Sequence, residues 1–294
     1  MLIWSDYSLI AAVLATGLAL AWLMLIPAAT VVARRLAPPS LVSTKGGRTH
    51  VWARPSSDIV AGGTLLAWLG FGFVTAALVF RMVALGRGPF ANMYEFALAF
   101  AWGVLLADLF LEHRAGTHVV GPIALPVAFV LLIVAVVITG KVVPLPPALQ
   151  NGLLLTTHVL VAIVAYGLLT TAFATTVLFL IQVRAQRAWL PSPERLDQWS
   201  RRAVTIAFPF LTLVLVLGAV WAEVAWGRYW SWDPKETAAL ATWLIFAAYL
   251  HGRSVRGWSS ERSASLVVLG FIAIVFTFSG NLFFGGLHSY SGVT

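Results

Sequence analysis

Four tryptophans lie within twelve positions, between two long apolar runs, at Trp221, Trp226, Trp230 and Trp232. An indole ring combines a large apolar face with one N–H donor, so tryptophan collects where lipid meets water. A belt at that boundary would explain scattered tryptophans. Four in one short loop instead favour a flat apolar surface for a large planar ligand. Gly227 either lets the backbone approach that ligand closely or simply makes a turn.

Three of the six histidines lie at the ends of apolar runs. His158 is about one turn inside the fifth run and His288 follows the last, both on the side of the tryptophan loop. Two imidazoles that approach from different helices suit six-coordinate haem iron, so this pair predicts an outer haem site. His251 ends the seventh run, about 22 Å of helix rise from Glu236, and any role it has belongs to a second, inner site. A hydrogen-bonding role within the bundle stays open for each histidine.

The tryptophan loop ends in residues that start a helix. Asp233 is placed as an N-cap, Pro234 at the first helical position and Glu236 as the partner in a capping box. This structural role is the favoured one, and Asp233 would then serve a ligand site indirectly by fixing where the loop ends. Arg228 and Lys235 flank the loop, where they either pair with haem propionates or hold the loop at the lipid surface.

The composition is that of a membrane protein. Of the 294 residues, 60% are hydrophobic and 10% are charged, and the mean hydropathy is +0.89, which excludes a soluble globule. We therefore expect an all-α, polytopic membrane bundle of about eight transmembrane helices, forming a single membrane domain over 1–294. Apolar runs of about 20 residues predict spans at 8–33, 59–84, 94–113, 119–139, 153–182, 204–224, 235–251 and 263–284.

The cations predict the orientation of these spans. Fourteen of the 19 Lys and Arg residues fall on one side of the predicted membrane, which is then the inner side. Both termini and the loop 221–236 are therefore expected outside. In a protein surrounded by membrane lipid, the positions of the charges matter more than the net charge of +8. That charge therefore does not indicate nucleic-acid binding.

Other segments carry fewer signals. Residues 34–58 form a turn-rich linker, and the run from Ser192 to Glu194 predicts a helix start, followed by a short helix on the membrane surface. Asp108 lies in the inner half of the third span, where a carboxylate is costly and usually paired, with a partner that the sequence does not identify. His50, His113 and His118 lie in or beside inner loops and are expected to be solvated.

Two absences narrow the chemistry. The chain has no cysteine, which excludes disulfides, thiolate metal sites and thiol exchange, and it has no C-x-x-C-H run for covalent haem. It also has no P-loop, so it does not use ATP directly.

Three motifs carry a family resemblance. The run WAEVAWGRYWSWDPKETAALATWLIFAAYLHGR closely resembles the WWD-domain signature of the CcsA/ResC family, haem-handling proteins of system II cytochrome c biogenesis. GRGPFANMYE, from Gly86, resembles the outer-loop motif of that family, and GLHSY at 286–290 resembles its carboxy-terminal motif. By this resemblance His158 and His288 correspond to the outer haem ligands and His251 to the histidine of the inner haem site. Arg87 departs from the family, which usually has His there.

The resemblance implies a function. The protein would bind haem b, translocate it and present it at the tryptophan loop for thioether formation with the C-x-x-C-H thiols of apocytochrome c, as a subunit of a cytochrome c synthase. It implies a separate CcsB/ResB-type partner, a separate thiol-reducing system and a location in the cytoplasmic membrane, or in the thylakoid membrane if plastid-encoded. No catalytic residue is predicted. A haem transporter or chaperone serving another lyase, and a generic multipass protein with an aromatic belt, stay open as alternatives.

Overall fold

The computed structural model describes residues 1–36, 42–45, 48–51, 57–116, 118–138, 142, 149, 152–187, 189–280 and 284–288, with side chains described outside 26–60. The side chains of the predicted linker, including that of His50, therefore lie outside the described residues. The described elements are α1 (Leu2–Leu36), β1 (Val42–Lys45), β2 (Arg48–Val51), α2 (Ser57–Leu85), α3 (Met93–Ala115), α4 (Gly121–Val137), α5 (Gly152–Ala185), α6 (Pro193–Trp226), α7 (Pro234–Ser254) and α8 (Ser260–Ser279).

The predicted helical membrane fold is confirmed. Six helices of the described chain are long and apolar enough to cross a membrane, in α1, α2, α3, α5, α6 and α8. The other two are α4, whose 17 residues rise about 25 Å, and α7, which carries charged residues at both ends. The hydrocarbon core is about 30 Å thick, so α4 is slightly short of a full span. The orientation of the termini stays a prediction.

Two local predictions need correction. The linker between α1 and α2 contains an antiparallel hairpin in which Val42 of β1 stands opposite Val51 of β2. The sequence has two glycines between these strands, a dipeptide favoured in two-residue hairpins. The short surface helix predicted after Ser192 is also wrong, because α6 runs without a break for 34 residues from Pro193. Residues 194–203 contain neither Gly nor Pro and several good helix formers, so nothing separates them from the span.

The described part of the bundle has two larger apolar cores and two smaller ones, and α3 meets α5 between the larger two. One larger core lies among α1 to α4 and the other among α5 to α8. At the junction, a Cβ on Gly167 of α5 would stand only 2.5 Å from the carbonyl oxygen of Gly103 in α3, and a Cβ on Gly103 would meet Ile163 of α5 at 2.5 Å. Small residues let two membrane helices approach closely, and this contact fixes the relative position of the two helices.

We predict that Gly167→Ala lowers the melting temperature of the purified protein in detergent. The added methyl collides with backbone atoms of α3, which cannot move aside as a side chain would, and overpacking of this kind costs about 1–3 kcal/mol. Gly72→Ala in α2 is the control, since no atom lies within 4 Å of a Cβ placed there. That change should leave stability unchanged or raise it by up to about 1 kcal/mol. Equal melting temperatures for the two variants would contradict the close contact of α3 and α5.

Candidate functional site

A cavity opens between α3, α5, α6 and α8, beside the tryptophan loop and the start of α7. It contains about 1080 Å³ of empty space, counted out to its mouth. Most of its wall is aromatic or aliphatic. The lining residues with nitrogen or oxygen in the side chain are His158, Tyr166, Trp221, Tyr229, Trp230, Lys235, Glu236, Thr277 and His288.

His158 reaches this cavity from α5. The facing position on α6 is Gly218, where a Cβ would stand 3.1 Å from Cε1 of the imidazole, so the glycine makes room for the ring. Nδ1 of His158 is buried and has no hydrogen-bond partner among the described residues. Buried polar atoms are normally satisfied, and an exception is therefore a candidate ligand contact. The geometry leaves this nitrogen available to a bound molecule.

His288 reaches the same cavity from the segment that follows α8. Its ring packs between Trp221 and Trp226, with centroid distances of 5.6 and 4.8 Å. Nδ1 lies 2.8 Å from Oδ1 of Asp233. An ionised carboxylate accepts hydrogen bonds only, so Nδ1 carries the proton that it donates to Asp233. His158 and His288 therefore line one cavity, and their role as haem ligands stays a prediction.

Asp233 ties three segments together. Oδ1 accepts the backbone N–H of Lys235 at 2.9 Å as the N-cap of α7, and Oδ2 accepts the backbone N–H of Leu287 at 2.6 Å. A side chain on Gly286 would collide with this carboxylate, which explains the glycine there. Burial alone raises the pKa of Asp233, but the hydrogen bonds from His288, Lys235 and Leu287 outweigh it and bring the pKa down to about 2. Asp233 is therefore ionised at neutral pH.

The predicted capping box is present, and it also shapes the loop. Oε2 of Glu236 accepts hydrogen bonds from the backbone N–H of Asp233 at 3.2 Å, and from both the backbone N–H and the hydroxyl of Ser231 at 2.8 and 3.1 Å. These bonds close the loop onto the first turn of α7. The link from Asp233 to His288 was not predicted, because the two residues are far apart in the sequence and share no periodic pattern.

The tryptophans do not form the flat surface suggested by their spacing. Trp221 and Trp226 meet edge to face with planes at 75°, and Trp230 and Trp232 meet at 87°. Trp221 and Trp230 line the cavity, whereas Trp226 packs behind His288. Trp232 is 69% exposed and points away from the cavity wall. Of the four indoles, two therefore line the cavity, one packs against His288 and one lies at the surface.

Gly227 forms the turn that ends α6. It caps the C-terminus of α6 with φ of 71°, a left-handed conformation that glycine adopts at low cost. No described protein atom lies within 4 Å of a Cβ placed there, and close approach of a ligand to this backbone stays a prediction.

The remaining predicted positions separate into two groups. Lys235 lines the cavity, with Nζ 5.2 Å from the centre of the Phe96 ring, whereas Arg228 is exposed. His251 lies in the last turn of α7 with an exposed side chain, outside this cavity. An inner site at His251 stays a prediction.

The loop before α3 is held by a buried carboxylate. Glu95 is fully buried and accepts hydrogen bonds from Nε of Arg81 at 2.9 Å, Nη1 of Arg87 at 3.0 Å and the backbone N–H of Ala91 at 2.7 Å. Asn92 caps α3 by accepting the backbone N–H of Glu95. Arg87, at the position that departs from the family motif, is part of this ion-pair network.

Comparison with known proteins gives a consistent family. Residues 90–288 match the family model described as Cytochrome C assembly protein. The cytochrome c biogenesis protein CcsA of Guillardia theta is 35% identical over 257 residues, covering 78% of this chain and 84% of the relative. The CcsA protein of Microcystis aeruginosa is 34% identical over 274 residues, covering 74% of this chain and 83% of the relative.

A solved structure shares the fold. The cytochrome c haem lyase CcmF superposes with a TM-score of 0.61 at 21% identity, over 92% of this chain and 46% of CcmF, so this chain spans less than half of that protein. At 21% identity, this similarity shows that the two proteins share a fold. The family model covers more than half of the chain, and the CcsA proteins match most of it. The chain therefore belongs to the cytochrome c assembly protein family and, within it, to the CcsA family.

Proposed function

We propose that this protein binds haem b as its substrate in the cavity beside the tryptophan loop and presents it for attachment to apocytochrome c. Membership of the family supports a role in cytochrome c biogenesis. The observation that carries the finer proposal is that His158 and His288, from separate segments, line one apolar cavity. Nδ1 of His158 has no hydrogen-bond partner among the described residues, and the ring of His288 is held by Asp233.

The two histidines would be the axial ligands of the haem iron. Nε2 of His288 is directed by the bond from Nδ1 to Asp233, the arrangement by which proteins orient a metal-binding imidazole and make it a better donor. His158 would contribute Nδ1, which is buried and unpartnered within the described chain. Two imidazole ligands give six-coordinate iron, which excludes a further ligand until one histidine is displaced.

The rest of the cavity suits the porphyrin. The cavity wall includes Phe96, Phe100 and Trp221, whose rings offer flat apolar contact and exclude water. Lys235 is the cationic side chain in the described lining, and we infer that it pairs with a haem propionate. Trp230 has a buried Nε1 without a partner in the described chain, a second donor available to a polar group of the ligand.

The protein would contribute positioning, and haem would supply the reactive vinyl groups. Holding the ring at a fixed edge of the cavity aligns those groups with the thiols of an incoming C-x-x-C-H segment and so lowers the entropic cost of reaction. Trp232 and Tyr229 are 69% and 61% exposed and give that segment an apolar surface to contact. Because the 294 residues include no cysteine, a separate thiol-reducing system must keep the thiols reduced.

We further infer the setting of this reaction. A CcsB/ResB-type membrane protein would complete the synthase, and both termini and the tryptophan loop would face the outer side of a cytoplasmic or thylakoid membrane. His251 would belong to an inner site that receives haem before it moves outward. Haem attachment in cells that express only this chain, that partner and an apocytochrome would support a synthase. Haem binding without attachment would favour a transporter or chaperone.

We predict that His158→Ala and His288→Ala each change the visible spectrum of the protein purified with its partner and lower its haem content. Each substitution removes one axial ligand and leaves a space that free imidazole can fill, so added imidazole should restore the six-coordinate spectrum. His113→Ala is the control, because His113 lies at the far end of α3 with an exposed side chain. Unchanged haem content and spectra in both cavity variants would refute the ligand assignment.

We predict that Asp233→Asn lowers haem affinity by about 10–100-fold, the usual effect of losing an outer partner of a metal ligand. Asparagine still caps α7, so the circular dichroism should not change. The haem reduction potential should rise, because an imidazole without a carboxylate partner donates less electron density to iron. Glu236→Gln is the comparison variant, because it weakens the capping box and the bonds to Ser231 but leaves the bond from Asp233 to His288 in place. Wild-type affinity and potential in Asp233→Asn would mean that Asp233 acts only as a cap.

A further inference from the structure

The end of α3 that points away from the haem cavity carries two buried carboxylates. Asp108 and Glu112 lie one helical turn apart on one face of α3 and are 1% and 4% exposed. Met93, which lines the cavity, is about 22 Å of helix rise from Asp108. The pair is therefore separate from the proposed haem site, and the function proposed above makes no use of it.

Asp108 has no partner in the part of the structure whose side chains are described. Neither carboxylate oxygen takes part in a hydrogen bond or an ion pair there. Oδ2 of Asp108 and Oε1 of Glu112 each lie 3.6 Å from the point where a Cβ on Gly121 would stand, so the two carboxylates flank one small space. Two negative charges facing each other in an apolar interior are strongly unfavourable, and at least one carboxylate must be neutralised.

In the part of the chain whose side chains are described, the helices around the pair supply no counter-ion. The stretches that pack near it, 8–33 of α1, 61–80 of α2, 121–138 at α4 and 168–174 of α5, contain no titratable or charged residue. On α3 itself, His113 and Arg114 are in the last turn with exposed side chains. The charged residues between 34 and 60, which include Arg34 and Arg35 of α1, lie outside the described side chains. Within the described chain, a proton is the simplest neutralising group.

A polar route connects the pair to the surface. Oε2 of Glu112 accepts a hydrogen bond from the hydroxyl of Thr64 at 3.3 Å and lies 3.1 Å from Nδ1 of His118, which is itself 2.6 Å from the Thr64 hydroxyl. The His118 side chain is 31% exposed, against 4% for Glu112. Exposure therefore rises from Asp108 through Glu112 to His118. The expectation that His118 is simply solvated is replaced by a bonded histidine at the mouth of this route.

We propose that Asp108 and Glu112 form a proton-binding site, reached from the surface at the end of the bundle opposite the haem cavity through His118. Chains of acidic residues and histidine inside membrane helices serve as proton relays, which is the chemistry this cluster resembles. A proton from water binds the imidazole, passes to the Glu112 carboxylate and then to Asp108, and returns by the same route. Only O–H and N–H bonds form and break. Uptake or release changes by one unit the charge held between α2, α3 and α4.

The test is infrared spectroscopy of the full-length protein in lipid nanodiscs at neutral pH. We expect a C=O stretching band of a protonated carboxylic acid that shifts in D₂O and is lost in Asp108→Asn. Asp197→Asn is the matched control, because Asp197 is ion-paired with Arg253 and should contribute no such band. Asparagine has nearly the size of aspartic acid and is neutral, so Asp108→Asn should keep the wild-type melting temperature and haem content.

The route is tested by the rate at which this band shifts in D₂O. His118→Ala should slow the exchange while leaving the band in place, whereas His113→Ala should exchange at the wild-type rate. Identical infrared spectra for wild type and Asp108→Asn would overturn the proposal. A melting temperature that rises with Na⁺ in wild type and not in Asp108→Asn would also overturn it, in favour of a metal cation. The infrared band, its exchange rate and the melting temperature do not depend on haem, so they fail or succeed independently of the proposed function.

Discussion

The arrangement of the candidate site depends on the carboxylate of Asp233. This single group caps α7, accepts the backbone N–H of Leu287 and holds the imidazole of His288. The three bonds join the tryptophan loop, the start of one helix and the segment after another. The low pKa of Asp233 means that the acceptor is charged at neutral pH, and charged acceptors make the stronger hydrogen bonds. Together with the packing of the ring between Trp221 and Trp226, this carboxylate holds His288 at the cavity.

Close helix packing provides the other half of the site. The cavity wall is built on α3 and α5, and the glycine contact between Gly103 and Gly167 sets how closely these two helices lie. Gly218 of α6 then leaves room for the ring of His158. In a membrane, helices associate through packing and polar contacts because the lipid is as apolar as the side chains. Glycines therefore decide both where the bundle is tight and where a slot remains open.

Buried charge divides the molecule into two ends. Near the cavity, Glu95 is satisfied by Arg81, Arg87 and a backbone N–H, so its charge stabilises the loop before α3. At the far end, Asp108 has no such partner in the described chain. A paired and an unpaired carboxylate on one helix serve different purposes. The first holds a structure in place, and the second is suited to binding and releasing a proton.

Local features of this protein could be predicted from consecutive stretches of its sequence. Long apolar runs require helices in a membrane, since each backbone polar group must be satisfied within its own segment. The Asp-Pro-Lys-Glu run dictated the start of α7 because a capping box operates over three residues. The types and positions of His158 and His288 were enough to nominate them, although their meeting in one cavity had to be seen in the structure. The family motifs were equally visible, because they are continuous stretches of sequence.

Only the tertiary structure decided the contacts made between distant segments. The edge-to-face crossing of the indoles, the bond from Asp233 to His288 and the inward position of Lys235 all depend on how helices lie against one another. No periodic pattern encodes such a relation, since two residues on different helices can face each other at many sequence separations. The unpaired state of Asp108 is of the same kind, because it depends on what every neighbouring helix presents. Sequence thus determined which groups were available, and packing determined which of them meet.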